Sequence, residues 1–128
     1  VEDAALALGE AISCALGKRE SIARFGNAVV PMDESLVSVS IDLVKRPFAK
    51  INLEIEHGAV EDMIKEDIQH FLQSFTQSLE ATVHINVEYG DDDHHKVEAA
   101  FKGLALSLRK AIAIDSQRKT SPSAKGVM

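Results

Sequence analysis

The sequence has few of the features that mark secreted, membrane-spanning or nucleic-acid-binding proteins. Cys14 is the only cysteine among 128 residues, which excludes a disulfide within the chain and is typical of a reducing cytoplasm. No apolar run approaches the roughly 20 residues that span a bilayer, and the start lacks the basic and apolar regions of a signal peptide. Basic residues number 14 against 20 acidic ones, and the net charge of -6 disfavours binding to nucleic acid or anionic lipid. We therefore expect a cytoplasmic protein without nucleic-acid or membrane partners.

Hydrophobic residues make up 45% of the chain, enough for a compact core. Apolar residues recur at helical spacing in three segments, which predicts helices over residues 1–16, 60–79 and 94–114. Runs rich in β-forming residues predict strands over 28–32, 36–43, 48–55 and 82–89, the first three as an antiparallel meander. A sheet of this kind must bury one face against its helices, so the expected fold class is an α+β two-layer sandwich. Cys14, within the first helix, is expected to be buried.

The first predicted helix has no strands of its own, and a weak internal repeat offers a reason. The segment Val1-Glu2-Asp3-Ala4 begins that helix, and Val97-Glu98-Ala99-Ala100 lies in the last one. Each is followed by a Leu-Ala-Leu segment. If the protein is a tandem duplication, the first helix ends a first repeat whose strands precede Val1. The chain also opens without an initiator Met, inside what reads as a helical turn, so we expect an upstream segment.

The segment His94-His95-Lys96-Val97-Glu98 follows an aspartate-rich turn, Gly90-Asp91-Asp92-Asp93, whose side chains can cap the last helix. Because a helix turns by about 100° per residue, the two histidines point in different directions and Glu98 lies one turn beyond them. The arrangement predicts that each histidine binds a different divalent transition ion, with Glu98 joining one of them. The alternative is that these side chains only cap and solvate an exposed helix start.

Other polar residues are candidates for the same region. His70 lies among apolar residues of the second helix, either as a core-edge histidine or as a further ligand. Arg24, Arg46, Lys102 and Lys125 would form a phosphate pocket if they converged near a metal, because guanidinium and ammonium groups match phosphate oxygens. The alternative for each of them is a solvated surface charge.

Seven blocks of the sequence occur in the order found in one enzyme family: Glu2-Asp3 with Leu6-Ala7-Leu8-Gly9, Arg24-Phe25-Gly26, Pro31-Met32-Asp33-Glu34, Arg46-Pro47-Phe48, His70-Phe71-Leu72-Gln73-Ser74-Phe75, His94 to Lys102, and Pro122 to Met128. Over essentially its whole length the chain thus resembles imidazoleglycerol-phosphate dehydratase. The resemblance implies two similar half-domains, each a four-stranded sheet with two helices on one face. Residues 1–20 would be the last helix of the first half-domain, 21–114 the second half-domain, and 115–128 a tail that contributes to the phosphate site.

The resemblance also implies roles for individual residues. The metal ligands would be Glu2, His70, His94, His95 and Glu98, which together with upstream histidines hold two manganese ions. The substrate's phosphate would be bound by Arg24, Arg46, Lys102, Ser123 and Lys125. Ala124 departs from the family pattern, in which a small hydroxyl residue is usual at that position. The general base is expected upstream of Val1, so no catalytic residue is assigned.

The implied reaction removes water from imidazoleglycerol phosphate to give imidazoleacetol phosphate in histidine biosynthesis. Two metals that bind both ring nitrogens would stabilise the deprotonated ring, while the clamped phosphate fixes the side chain. Family members assemble as twenty-four subunits with metal sites between subunits. Two other functions stay open. One is a non-catalytic metal-binding or assembly module of the same fold, and the other is a phosphate- or RNA-binding domain, which predicts a basic sheet face with exposed aromatics.

Overall fold

A computed structural model describes residues 1–115 of the chain. The helices are α1 (Glu2–Leu16), α2 (Lys65–Leu79) and α3 (Asp93–Ala111). The strands are β1 (Phe25–Met32), β2 (Ser35–Asp42), β3 (Phe48–Asn52), β4 (Ala59–Val60), β5 (Met63–Ile64) and β6 (Thr82–Tyr89). No helix within residues 1–115 is both long enough and apolar enough to cross a membrane.

The main sheet has four strands in the order β1-β2-β6-β3. β1 pairs with β2 and β2 with β6 in antiparallel fashion, whereas β3 and β6 are parallel. The predicted meander is therefore correct for β1 and β2 and wrong for β3. The chain leaves β3, passes through α2 as a crossover and returns as β6 between β2 and β3. The central position suits β6 because alternate residues, Val83, Ile85 and Val87, are buried.

One face of the sheet carries the core, and α2 and α3 pack on it. Two glycines, Gly26 in β1 and Gly103 in α3, allow α3 to lie close to the sheet. A Cβ at Gly103 would lie 2.7 Å from a methyl carbon of Val39, and one at Gly26 would lie 1.9 Å from the carbonyl oxygen of Ser107. Any larger residue at either position would push the helix off the sheet. These layers confirm the predicted α+β class, with two helices on one face of a four-stranded sheet.

α1 packs against α2 and buries only Ala5 and Gly9 of its own residues. A Cβ at Gly9 would lie 2.7 Å from the carbonyl oxygen of Phe75, so the two backbones are in close contact. Cys14 is exposed, and the expectation that it is buried was wrong. The reason is that α1 has a narrow buried stripe, and Cys14 lies off that stripe. The assignment of α1 to a separate half-domain stays a prediction.

Arg19 is fully buried just after α1. Its guanidinium donates to the carbonyl oxygens of Leu43 (2.8 Å), Glu80 (2.7 Å) and Leu79 (2.5 Å), and to the hydroxyl of Ser13 (2.9 Å). Burial lowers its pKa, and the nearby Glu80 carboxylate opposes that shift. Arg19 thus joins α1, the residue after β2 and the end of α2, where a helix leaves its last carbonyls without helical partners.

The largest boundary error concerns α2, which was predicted to begin at residue 60 and begins at Lys65. The residues before it form the β4–β5 hairpin, in which Val60 pairs with Met63. Val60 is buried by this hairpin and by the core, so its apolar character fits a helix pattern without belonging to one. The other predicted elements agree with the structure to within three residues at each end.

Candidate functional site

The start of α3 is capped as predicted from its aspartates. Asp92 has extended backbone geometry and occupies the N-cap position, and its side chain accepts a hydrogen bond of 3.2 Å from the backbone N–H of His95. The carboxylate satisfies one of the free amides at this helix end and complements the positive end of the helix dipole. The cap holds the first turn of α3, which carries His94 and His95, in a fixed geometry.

The rings of His94 and His95 face different carboxylates. Their centroids are 6.5 Å apart and their planes stand at 89°. His94 Nε2 lies 3.5 Å from Glu98 and its Nδ1 lies 3.2 Å from Glu61, both measured to carboxylate oxygens. His95 Nδ1 instead lies 2.5 Å from Glu34. Of the two histidines, only His94 contacts Glu98, an arrangement that suits two separate cation positions rather than one.

Glu34 comes from the β1–β2 turn and reaches across to the start of α3. Hydrogen bonds from the Ser35 hydroxyl, the Asp92 amide and the His95 ring hold the pKa of the Glu34 carboxyl well below its usual range. The same contact with Glu34 raises the pKa of His95. The β1–β2 turn and the β6–α3 turn are therefore joined through a carboxylate that stays ionised.

Asp93 is buried on the other side of the same helical turn. It accepts hydrogen bonds from the backbone N–H groups of Glu56 (3.1 Å) and His57 (2.9 Å), and it contacts the His57 ring at 3.0 Å. Burial would raise the pKa of Asp93, but these bonds and the charge of Lys96 lower it to about 2. Lys96 in turn donates to the carbonyl of Glu54 at 2.7 Å, so the loop after β3 is fixed to α3.

The remaining predicted metal ligands, Glu2 and His70, lie exposed on α1 and α2. Within residues 1–115, no group of three or more His, Cys, Asp and Glu side chains is placed to hold a metal ion. Residues 1–115 of one chain thus supply a pair, His94 with Glu98, and a single oriented imidazole, His95. They do not supply a complete coordination shell.

The predicted phosphate-binding residues are dispersed. Arg24 forms a two-pronged ion pair with Asp42, with Nε 2.7 Å from one oxygen and Nη2 3.1 Å from the other, and this bond raises its pKa. Arg46 is exposed ahead of β3, and Lys102 lies 3.1 Å from Glu98 on α3. Ser123 and Lys125, the other two predicted contacts, lie outside the described residues.

The strand register places the arginines and the histidines at opposite ends of the sheet. Phe25, Asp42, Thr82 and Phe48 lie side by side at the end reached by Arg24 and Arg46. The turn that leads to His94 follows the other end of β6, whose eight residues span about 23 Å. A small phosphate ester cannot reach from one end to the other. Within residues 1–115 of one chain, the arginines and the histidine pair are therefore too far apart to contact one such molecule.

The outer face of the sheet, which is the face away from α2 and α3, bears on the RNA-binding alternative, because that alternative predicts a basic face with exposed aromatic side chains. It does expose aromatic side chains, among them Phe25 and Phe48, and the Phe48 ring lies 5.6 Å from that of His84. Its charges, however, include two carboxylates, Asp42 and Glu88, beside Lys50. The face is not basic, so it lacks the phosphate attraction that nucleic-acid binding requires.

Three residues that organise this region had no role predicted for them: Glu34, Asp42 and Lys96. Glu34 was noted only as part of a sequence block, and its partner His95 is sixty-one positions away. Asp42 ends a strand whose apolar alternation gives no reason to single it out, and Lys96 has the spacing of a solvated helix residue. Each acts through a contact between distant parts of the chain, for which a single sequence carries no signal.

The chain is similar in sequence to one family of enzymes. A family model described as imidazoleglycerol-phosphate dehydratase matches residues 1–108. Curated proteins of that name are similar over nearly the whole chain. The one from Phytophthora nicotianae is 45% identical over 99% of this chain and 28% of its own length. The one from Dehalococcoides mccartyi is 43% identical over 100% of this chain and 66% of its own length. The chain thus spans less than two thirds of these relatives.

Two crystal structures of imidazoleglycerol-phosphate dehydratase have the same fold. The Pyrococcus furiosus protein matches with a TM-score of 0.86 and 39% identity, over 99% of this chain and 69% of that one. The Staphylococcus aureus protein matches with a TM-score of 0.85 and 26% identity, over 88% of this chain and 66% of that one.

Proposed function

This chain belongs to the imidazoleglycerol-phosphate dehydratase family, and from that premise we propose that the protein removes water from imidazoleglycerol phosphate to give imidazoleacetol phosphate. The observation that carries the proposal is the start of α3, where two imidazoles stand at 89° and face separate carboxylates. This arrangement suits a reaction in which two cations would supply the positive charge that makes a substrate ring easier to deprotonate.

The donor set fits a divalent transition metal. Imidazole nitrogens and carboxylate oxygens are ligands for manganese and similar ions, and neither His94 nor His95 has a thiolate near it that would favour zinc in a structural site. We propose that His94 and Glu98 hold one manganese ion and His95 a second, with Glu2, His70 and residues of other subunits completing both shells. When bound, the two ions would supply the positive charge that makes the substrate's ring easier to deprotonate.

The chain's own residues contribute by positioning. The Asp92 cap and the buried Asp93 fix the first turn of α3, so both imidazoles are oriented before any ligand arrives. Arg24, held in plane by Asp42, would bring the positive charge of its guanidinium to a phosphate, and Lys102 would add a positive charge from α3. Clamping the phosphate would hold the carbon that loses a proton next to the general base, which we expect upstream of Val1.

The separation of about 23 Å between the two ends of the sheet supports sites built between subunits. We therefore propose self-association, in the twenty-four-subunit form that the family resemblance implies, with the arginine end of one copy completing the histidine end of another. The cytoplasmic location and the role in histidine biosynthesis form part of the same proposal.

The test compares two histidine variants of the intact protein. His95→Ala is expected to lower Mn²⁺ affinity on the order of 100-fold, measured by titration calorimetry, and to abolish dehydration of imidazoleglycerol phosphate. His84→Ala, which removes an exposed histidine on the outer face of the sheet, is the matched control and should change neither. Equal Mn²⁺ binding by wild type and His95→Ala would remove His95 from the metal site.

A non-catalytic metal-binding or assembly module of the same fold is the second candidate. The incomplete ligand set within residues 1–115 is the observation that favours it. It predicts that the intact protein binds Mn²⁺ and assembles but leaves imidazoleglycerol phosphate unchanged. The same assay therefore separates the two functions.

A further inference from the structure

We propose that Glu34 is a positioning residue that sets the tautomer and the direction of His95, and so determines how well that imidazole binds a metal ion. The proposal rests on the function proposed above. It concerns a residue that does not itself need to touch the metal, and it assigns a task to the β1–β2 turn, which contains no predicted ligand.

Glu34 makes contacts with both of its carboxylate oxygens. Oε1 lies 2.5 Å from His95 Nδ1. Oε2 accepts bonds from the backbone N–H groups of Asp91 and Asp92, each at 3.0 Å, and from the Ser35 hydroxyl at 2.5 Å. Three donors therefore fix one oxygen, which leaves the other directed at the histidine ring.

The backbone on both sides of Glu34 is closely packed, which limits how far the carboxylate can move. Ser35 is fully buried, and a Cβ at Gly90 would lie only 2.3 Å from its hydroxyl oxygen. The β1–β2 turn and the β6–α3 turn thus meet without any intervening side chain at Gly90. Because the two turns form one packed unit, the position of Glu34 relative to His95 is determined by the fold.

The contact between Glu34 and His95 Nδ1 determines which nitrogen of the His95 ring carries the proton and which carries the lone pair. A histidine whose Nδ1–H donates to a carboxylate carries its lone pair on Nε2, and this arrangement orients metal-binding imidazoles and raises their basicity. His95 Nε2 lies 3.7 Å from the exposed carboxylate of Asp33. Of the two ring nitrogens, Nε2 has the longer carboxylate contact and the more exposed carboxylate partner. Glu34 thereby prepares His95 to bind through Nε2.

His94 provides an internal contrast. Its neighbour Glu61 has a side chain that is 75% exposed, whereas that of Glu34 is 33% exposed and is held by three further donors. An exposed carboxylate on a hairpin constrains a ring weakly, because solvent competes for both partners. We infer that the fold orients His95 more strongly than His94.

The experiment uses the intact protein with Mn²⁺ as the probe, and NMR of the histidine ring nitrogens in the metal-free state. Glu34→Gln is expected to weaken Mn²⁺ binding by about 10- to 100-fold, the range usual for loss of a carboxylate behind a metal-binding histidine. It should also shift His95 away from the tautomer protonated at Nδ1. Glu34→Asp keeps the charge but withdraws the carboxylate, so the same two changes are expected if the first variant folds poorly.

Glu88→Gln is the matched control, because Glu88 also accepts a serine hydroxyl, from Ser38 at 2.8 Å, but has no histidine partner in the described part of the chain. It should bind Mn²⁺ as wild type does. A purely structural role for Glu34 would instead lower the thermal midpoint of both Glu34 variants while leaving Mn²⁺ affinity and the His95 spectrum unchanged, and that result would overturn the proposal. If wild type binds no Mn²⁺, the proposed function fails, and the His95 tautomer in the variants still decides the role of Glu34.

Discussion

The two ends of the four-stranded sheet are stabilised by opposite chemistry. At the end where α2 stops, the buried guanidinium of Arg19 donates to the carbonyls of Leu79 and Glu80. At the end where α3 starts, the carboxylates of Glu34 and Asp92 accept bonds from backbone amides. The difference follows from the helices, because a helix end leaves carbonyls unpaired at its C-terminus and amides unpaired at its N-terminus.

The comparison shows why each end suits a different ligand. Carboxylates gathered at the start of α3 contact both imidazoles and favour cations, and for this reason we propose the metal ions at this end. The opposite end brings Arg24 and Arg46 beside the strand termini, where phosphate would bind. The substrate proposed above carries an imidazole at one end and a phosphate at the other, whereas residues 1–115 of one chain keep the two ends of the sheet about 23 Å apart.

The largest expected effect is on stability and concerns Arg19. Arg19→Met would leave the buried carbonyls of Leu43 and Leu79 without the guanidinium donor and would remove a part-buried bond to Glu80, at a cost of about 3 kcal/mol or more. Denaturant unfolding of the intact protein measures this. Lys18→Met, an exposed neighbour, is the control and should stay within about 0.5 kcal/mol of wild type. Equal stability of both variants would mean that the end of α2 does not depend on the buried guanidinium.

The next effect is on substrate binding at the arginine end. Arg24→Ala should raise KM about 10- to 100-fold, because a charge-assisted hydrogen bond contributes about 1.5–3 kcal/mol, while Mn²⁺ affinity changes little. Steady-state kinetics and metal titration of the intact enzyme measure the two quantities. Lys50→Ala is the control, because it removes a positive charge from β3 at a residue that was not predicted to bind phosphate, and it should change KM less. A loss of metal affinity with an unchanged KM would show that Arg24 supports metal binding and not phosphate binding, contrary to the proposal.

The smallest effect concerns acid stability and Glu88. Hydrogen bonds from Ser38 and Asn86 lower the pKa of the exposed Glu88 carboxyl from its ordinary value of 4.5. Because its pKa is lower in the folded state, Glu88 contributes stability that is present above pH 4.5 and is lost as the pH falls through the folded value. Glu88→Gln should therefore show a slightly shallower loss of stability on acidification below pH 4.5 than wild type. An unchanged acid profile would show that these bonds do not persist in solution.

Much of the fold was predictable because its signals are local. The helical period of α3 and the alternation of Val83, Ile85 and Val87 indicated the elements, and the aspartates of the turn before α3 indicated its cap. The pairing of β3 with β6 was not predictable, because strand order depends on how α2 crosses the sheet. The hairpin around Val60 was missed because a buried apolar residue fits a helix and a hairpin equally well.

The sequence by itself determined the chemical inventory: an α+β fold, the family, and two histidines one helical turn before a glutamate. Only the tertiary structure decided which of these side chains contact each other and where they lie on the sheet. It paired His94 with Glu98 and His95 with Glu34, engaged Arg24 with Asp42, and placed the arginines and histidines at opposite ends of the sheet. The physical reason is that helix period and capping act over a few residues, whereas these ion pairs join side chains that only the packing of strands and helices brings together.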